Sequence, residues 1–288
     1  MANLKEIRNR INSVSSTMQI TNAMKMVSAA KLNRAQEAIT AMRPYSNKLT
    51  ELLQSLSASS EGGNSKFAQK RTVQNVLVVT ISSNRGLAGA FNSNIVKEVK
   101  RLSENELSDK NVDLLIIGKK AGDVLKKNMN VVNSNNEIFD ALTFENVANM
   151  AEELMEDFIT EKYDQILLVY NKFINAATQE VKAEQFLPIL PKEEQEENQQ
   201  NEVDYIFEPE RDQIINELIP KTLKMQFYKA IRDSFAAEHG ARMTAMHKAT
   251  DNATDLKNEL TLSYNKARQA AITNEILEIV GGAEALNN

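Results

Sequence analysis

The chain contains no cysteine. That excludes disulfides, a thiolate nucleophile and zinc-thiolate clusters, and makes a reducing compartment the easiest home for it. Glycine and proline are scarce, 9 and 5 in 288 residues, so few positions punctuate a helix. No window offers the roughly 18 uninterrupted apolar residues of a membrane-spanning helix. The first fourteen residues carry charges where a signal peptide needs its apolar core. The expectation is a soluble protein, docked at most onto a membrane complex. With 42% apolar residues the chain is long enough for one large domain or two small ones, and it is not a disordered protein.

Charge of one sign is also missing locally. Residues 1–55 hold eight Lys and Arg against three Asp and Glu, whereas residues 192–212 hold two against nine. A basic end suits nucleic acid or an acidic protein partner, but here it lacks the interleaved aromatics and dense arginine of a nucleic-acid surface.

What is present is helical period. Leu4, Ile7, Ile11, Val14 and Met18 recur at alternating spacings of three and four, and the same frame runs on through Thr21, Lys25, Ser28, Leu32, Ala35, Ile39 and Met42. Its middle is polar, so either the helix shifts phase there or other chains touch it. Pro44 is placed to kink the segment before KLTELLQSL resumes the pattern. A helix reaching residue 55 would be roughly 80 Å long at ~1.5 Å per residue. After Pro220 a second stretch reads as one very long helix. Its seam is Phe235, Met243, Met246, Ala253, Leu256, Leu260, Ala267 and Ala270, and Gly281 and Gly282 supply a stop.

Between them the texture changes. Apolar strands at 75–82, 112–118 and 164–171 alternate with helices at 90–102, 119–128 and 144–160, which argues for a small α/β domain with a mainly parallel sheet. EVKAEQFLPIL adds an edge strand, and 192–202 is an acidic, polar insertion. The predicted fold is an antiparallel coiled coil of two long terminal helices plus this central domain. Its divisions are 1–58, 74–190, 191–212 and 213–288.

Candidate chemistry is thin. SSNRGLAGAFN (82–92) leads from a strand into a helix, where α/β proteins cradle phosphates, but Gly86 and Gly89 fit neither the G-x-G-x-x-G nor the Gly-Lys-Ser/Thr spacing. A tight connection needing small residues is the better reading. His239 and His247 lie eight apart with no HExxH pattern and read as solvated helix residues. Glu152 and Glu153 read as a solvated face. Met18, Met243 and Met246 fall at seam positions and read as packing residues rather than an adaptable binding surface. Nothing assembles a nucleophile, a base and an electrophile stabiliser, so no catalytic residue, cofactor or metal is expected.

Two long helices with a narrow, partly polar seam bury little apolar area, so the pair would need a sleeve of other chains. The central domain would then be a docking body. Two other readings stay open: an α/β ligand-binding protein with helical oligomerisation arms, and a nucleic-acid or membrane-surface protein using the basic N-terminal helix.

The residues also carry a likeness. IRNRINSVSSTMQITNAMKMVSAAKL with RPY at 43–45, NRGLAGAFN, NKFIN at 171–175, GARMTAMHKATDNA and YNKARQAAITNEILEIVGGAEAL resemble the gamma subunits of F-type ATP synthases from residue 4 to residue 286. The resemblance implies a central-stalk rotor shaft that couples proton flow to ATP synthesis or hydrolysis. It has no catalytic site and no small-molecule substrate of its own. Implied partners are the alpha and beta subunits of the catalytic ring, the epsilon subunit and the c-subunit membrane ring. The implied place is peripheral, on the cytoplasmic face of a bacterial plasma membrane, without nucleic acid. Met24 and Lys25 fall in the family's A-M-x-M-V segment, and Arg268, Gln269 and Thr273 in its R-Q-x-x-I-T segment; these are expected to contact the catalytic ring. Tyr205 and Glu208 are expected near epsilon and the c ring. Ala88 stands where the family's R-G-L-C-G pattern has cysteine, which removes a thiol.

Overall fold

The computed structural model describes residues 4–57, 66–69, 71–189 and 211–287. It divides into two compact units, Met1–Ser28 with Met243–Asn288, and Ala29–Arg242. Tyr205, Glu208 and the acidic stretch 192–202 lie outside the described residues.

The second unit is built on a five-stranded sheet. In chain order its strands are β1 (Asn75–Ile81), β2 (Asn111–Ile117), β3 (Asn130–Asn135), β4 (Gln165–Phe173) and β5 (Gln179–Leu187). They lie side by side as β3-β2-β1-β4-β5. The first four run parallel and β5 closes one edge antiparallel to β4. Strands β1, β2 and β4 read as near-continuous apolar runs because both faces are covered. On one face Leu77, Val79 and Ile166 pack with helix α4 (Phe144–Ile159) through Val147, Leu154 and Phe158. On the other, Val78, Ile116 and Val169 meet helices α2 (Phe91–Arg101) and α3 (Lys119–Leu125). The Thr143 side chain caps α4 by accepting from the Asn146 N–H at 3.3 Å.

Two long helices, α1 (Leu4–Ser57) and α5 (Arg211–Asn287), contribute to both units. Every position of the frame Leu4 to Met42 is buried or half-buried, including Thr21, Lys25 and Ser28. The helix therefore keeps its phase through the polar middle. In the first unit the pair is antiparallel, since Thr21 meets Thr250 and Met18 meets Thr254. Thr21 and Ser28 tolerate burial because their hydroxyls also bond back to the carbonyls of Met18 and Met24.

Several expectations need correction. Pro44 lies inside α1, as expected, but Pro220 also lies inside a helix, because α5 begins at Arg211 rather than after Pro220. An interior proline costs about 3 kcal/mol. Burial of Ile219 and Leu223 on either side of Pro220 offsets it, at about 1.5–3 kcal/mol per side chain. Gly281 and Gly282 do not stop α5, which runs to Asn287; neither takes the positive φ of a C-terminal cap. Strand β3 was not foreseen. Its residues NVVNSN are mostly exposed and polar, and only pairing with β2 makes them a strand.

Candidate interaction surface and the Arg242 cleat

The residues expected to meet the catalytic ring differ in exposure. Met24 and Lys25 are half-buried on α1, whereas Arg268, Gln269 and Thr273 are exposed on α5. The structure does not bring the two groups together. The Thr21–Thr250 register places Met24 level with about residue 247, roughly 30 Å along α5 from Arg268.

That register also places Leu4 level with about residue 267. The rest of α5 has no described α1 residue opposite it, and residues 268–283 are exposed. Large apolar side chains stand in water there: Ile272 is 48% exposed, Ile276 54%, Ile279 66% and Val280 51%. At about 100° per residue they share one half of the helix with Arg268, Gln269, Thr273 and Leu277, while Ala270, Ala271, Asn274, Glu275, Glu278 and both glycines take the other half. An apolar face left open in this way is a candidate interaction surface. The spacing of 272, 276, 279 and 280 was legible in the sequence, but its exposure was not. A smaller open group, Ile20, Met26 and Val27, lies on α1.

The 82–92 connection is a braced turn. Ser82 N–H donates to Ile117 O at 2.7 Å, and its hydroxyl accepts from Ala121 N–H at 3.1 Å. Ser83 N–H donates to Asn92 Oδ1 at 3.1 Å, Lys119 N–H donates to Asn84 Oδ1 at 3.2 Å, and Asn84 Nδ2 donates to Asn136 O at 2.6 Å. Leu87 adopts φ 61° and is 64% exposed at the tip. Gly118, at φ 88°, passes so close that an added Cβ would sit 2.1 Å from Ser82 O.

Helix α5 clamps this turn. Arg242 donates through Nη2 to Arg85 O at 3.0 Å and through Nε to Gly86 O at 3.3 Å, while Nη1 donates to Glu238 Oε1 at 2.7 Å. Arg242 is 6% exposed and Glu238 7%. Removing one partner of such a buried pair leaves an uncompensated charge, at about 3–5 kcal/mol. Burial pushes the Glu238 carboxyl up, and the neighbouring Arg242 cation pulls the other way. Gly240 lets α5 lie against Ala176, whose backbone would be 3.2 Å from an added Cβ.

His239 is not a solvated residue. It is 5% exposed, edge-on to Phe235 at 4.5 Å, with Nδ1 3.4 Å from Arg242 Nη1. Burial, reinforced by Arg242 and Lys31, pulls its pKa down to about 3. His247 is exposed, 3.4 Å from Asp251. Glu152 is exposed but pairs with Lys224 of α5. Of the methionines, Met246 is buried and Met18 and Met243 are half-buried. No helix among the described residues is long and apolar enough to cross a membrane.

The chain resembles known proteins along its whole length. The family described as ATP synthase matches residues 3–286. The ATP synthase gamma chain of Christiangramia forsetii is 66% identical over 288 residues, covering 100% of both chains. Among solved structures, the chain is similar to one in the central stalk and c-ring of Tetrahymena thermophila mitochondrial ATP synthase, with TM-score 0.61 and 27% identity over 80% of this chain and 99% of that one. It shares its fold with a chain of the rotor of Euglena gracilis mitochondrial ATP synthase, with TM-score 0.64 and 20% identity over 93% of this chain and 98% of that one.

Proposed function

The chain belongs to the family of ATP synthase gamma chains, and on that premise we propose that it is the central-stalk shaft coupling proton flow through a membrane ring to ATP synthesis or hydrolysis on separate catalytic subunits. The observation that carries this reading is the open end of α5. An apolar half-face from Ile272 to Val280, flanked by Arg268, Gln269 and Thr273, projects past the last described residue that could pair with it.

A shaft has to be stiff and unequal from side to side. Stiffness comes from the continuous hydrogen bonding of α1 and α5 and from a seam narrow enough for close approach, with Thr21, Met246 and Ala253 buried in it. Inequality comes from the tip itself, apolar and basic on one half and small, polar and acidic on the other. As such a tip turns inside a ring of alternating alpha and beta subunits, each beta subunit meets the apolar half and then the acidic half in sequence. Contacts that differ between rotational positions are what shift a subunit between conformations. The chemistry of ATP stays with those subunits, and this chain supplies differential binding energy.

The remaining partners in this reading are the epsilon subunit and the c-subunit ring, approached through the segment containing Tyr205 and Glu208. The complex would sit peripherally on the cytoplasmic face of a bacterial plasma membrane. The test is co-purification of the tagged chain from its native membranes. Recovery with alpha, beta and epsilon and with ATPase activity is expected; recovery alone, or with nucleic acid, would overturn the reading.

A further inference from the structure

We propose that Arg242 is the tether through which α5 grips the side domain at the Arg85–Gly86 turn, and that His239 is a positioning residue that holds Arg242 in place by staying uncharged. The proposal rests on the shaft reading above and names where load would pass between a driven helix and the domain it carries.

The geometry is specific. Arg242 spends its fork on two carbonyl oxygens of one turn and on Glu238, so one side chain ties α5 to the sheet's connection between β1 and α2. The turn cannot absorb a displacement, because Ser83 and Asn84 are already bonded to Asn92, Asn136 and α3. An arginine always donates, so the 3.4 Å approach makes His239 Nδ1 the acceptor and puts the ring proton on Nε2. That Nε2 is buried with no hydrogen-bond partner. A structural histidine selected for its hydrogen bonds would not leave one nitrogen idle. What the site uses is a neutral ring wedged against Phe235 with one acceptor facing Arg242.

The charges around it explain the demand for neutrality. Arg242 on its own helix and Lys31 on α1 both bear on the ring as cations. The adjacent Glu238 carboxylate is already bonded to Arg242, and Lys31 and Arg85 also act on it. A positive charge at position 239 would therefore face Arg242 in a buried place where Glu238 is already engaged, and would push the fork off the two carbonyls.

The test uses the whole complex purified through a tag on this chain, reconstituted in vesicles, with ATP-driven proton pumping read as a ratio to ATP hydrolysis. Failure of the unmodified chain to bring down partner subunits and ATPase activity would sink the shaft reading, independently of the tether. With the complex in hand, His239→Gln, which offers an uncharged acceptor, is expected to keep the ratio. His239→Lys is expected to lower it about threefold or more, a shift within the usual range for residues that carry coupling. Should His239→Lys fail to assemble, Arg242→Lys, which keeps the charge and loses the fork, is expected to show the same loss. A native ratio in whichever of these variants assembles, or an equal loss in His239→Gln, would overturn the proposal.

Discussion

The hydroxyl oxygens of Thr21 and Thr250 lie 2.8 Å apart although 229 positions separate them in the chain. Each hydroxyl also has a carbonyl of its own helix within reach, Met18 O for Thr21 and Met246 O for Thr250. A polar pair at this depth ties the two helices at one register, where an all-apolar seam would allow them to slide.

The pair should therefore show energetic coupling. Replacing either threonine by valine leaves the other hydroxyl still bonded within its own helix, so each single change is expected to cost about 1 kcal/mol or less. The double change should cost less than the sum, with an interaction energy of about 0.5–1.5 kcal/mol in a double-mutant cycle. Denaturant unfolding of the four proteins measures it, and strict additivity would remove the pair as a register lock.

Gly118→Ala should be severely destabilising. The added methyl would meet Ser82 O at 2.1 Å, and the residue would be held at φ 88°. Backbone cannot yield as a flexible side chain does, so a loss of about 3 kcal/mol or more in thermal or denaturant unfolding is expected. A change below 1 kcal/mol, taking ~1 kcal/mol as the size of an ordinary substitution, would mean the β2–α3 connection is looser than drawn.

His239 makes stability fall in acid. Its pKa is about 3 in the folded chain against 6.5 as its ordinary value, so between these pH values the unfolded chain binds the extra proton. Above pH 6.5 the residue is neutral in both states and its contribution is complete; below that, stability is lost as pH falls toward 3, at up to about 1.4 kcal/mol per pH unit. His239→Gln should flatten the stability profile across that window. An unchanged slope in that variant would assign the acid sensitivity to other groups.

The tip of α5 yields a functional prediction. Replacing Arg268 and Gln269 together by alanine, both exposed, should leave the chain's own stability within about 0.5 kcal/mol. The same change should impair coupled ATP turnover while nucleotide binding by the beta subunit stays intact. Steady-state turnover of the reconstituted complex and a nucleotide-binding titration decide it, and normal coupled turnover would take both residues out of the interface.

Much of this architecture was legible before any coordinates. The frame from Leu4 to Met42 marks the buried face of α1 at every step, since a helix repeats its face every three to four residues and one side was covered throughout. Strands β1, β2 and β4 announced themselves as apolar runs between helices, the mark of a sheet covered on both faces. The absence of cysteine and the helical ends set the class of molecule.

Other features depended on tertiary contact. Strand β3 has no pattern of its own and exists because β2 offers it an edge. Helix α5 is buried on almost every side from Ile231 to Arg242, so periodicity says nothing there about which residues face what; that is why His239 read as solvated and why Arg242 passed unnoticed. Ala270, by contrast, matched the predicted seam and turned out exposed, because the register of the pair carries α5 past the beginning of α1; Leu256, also placed in that seam, is exposed although α1 lies opposite it. Local sequence determines period and propensity. Burial of a charged cleat, and exposure of an apolar tip, follow from which distant segment lies opposite.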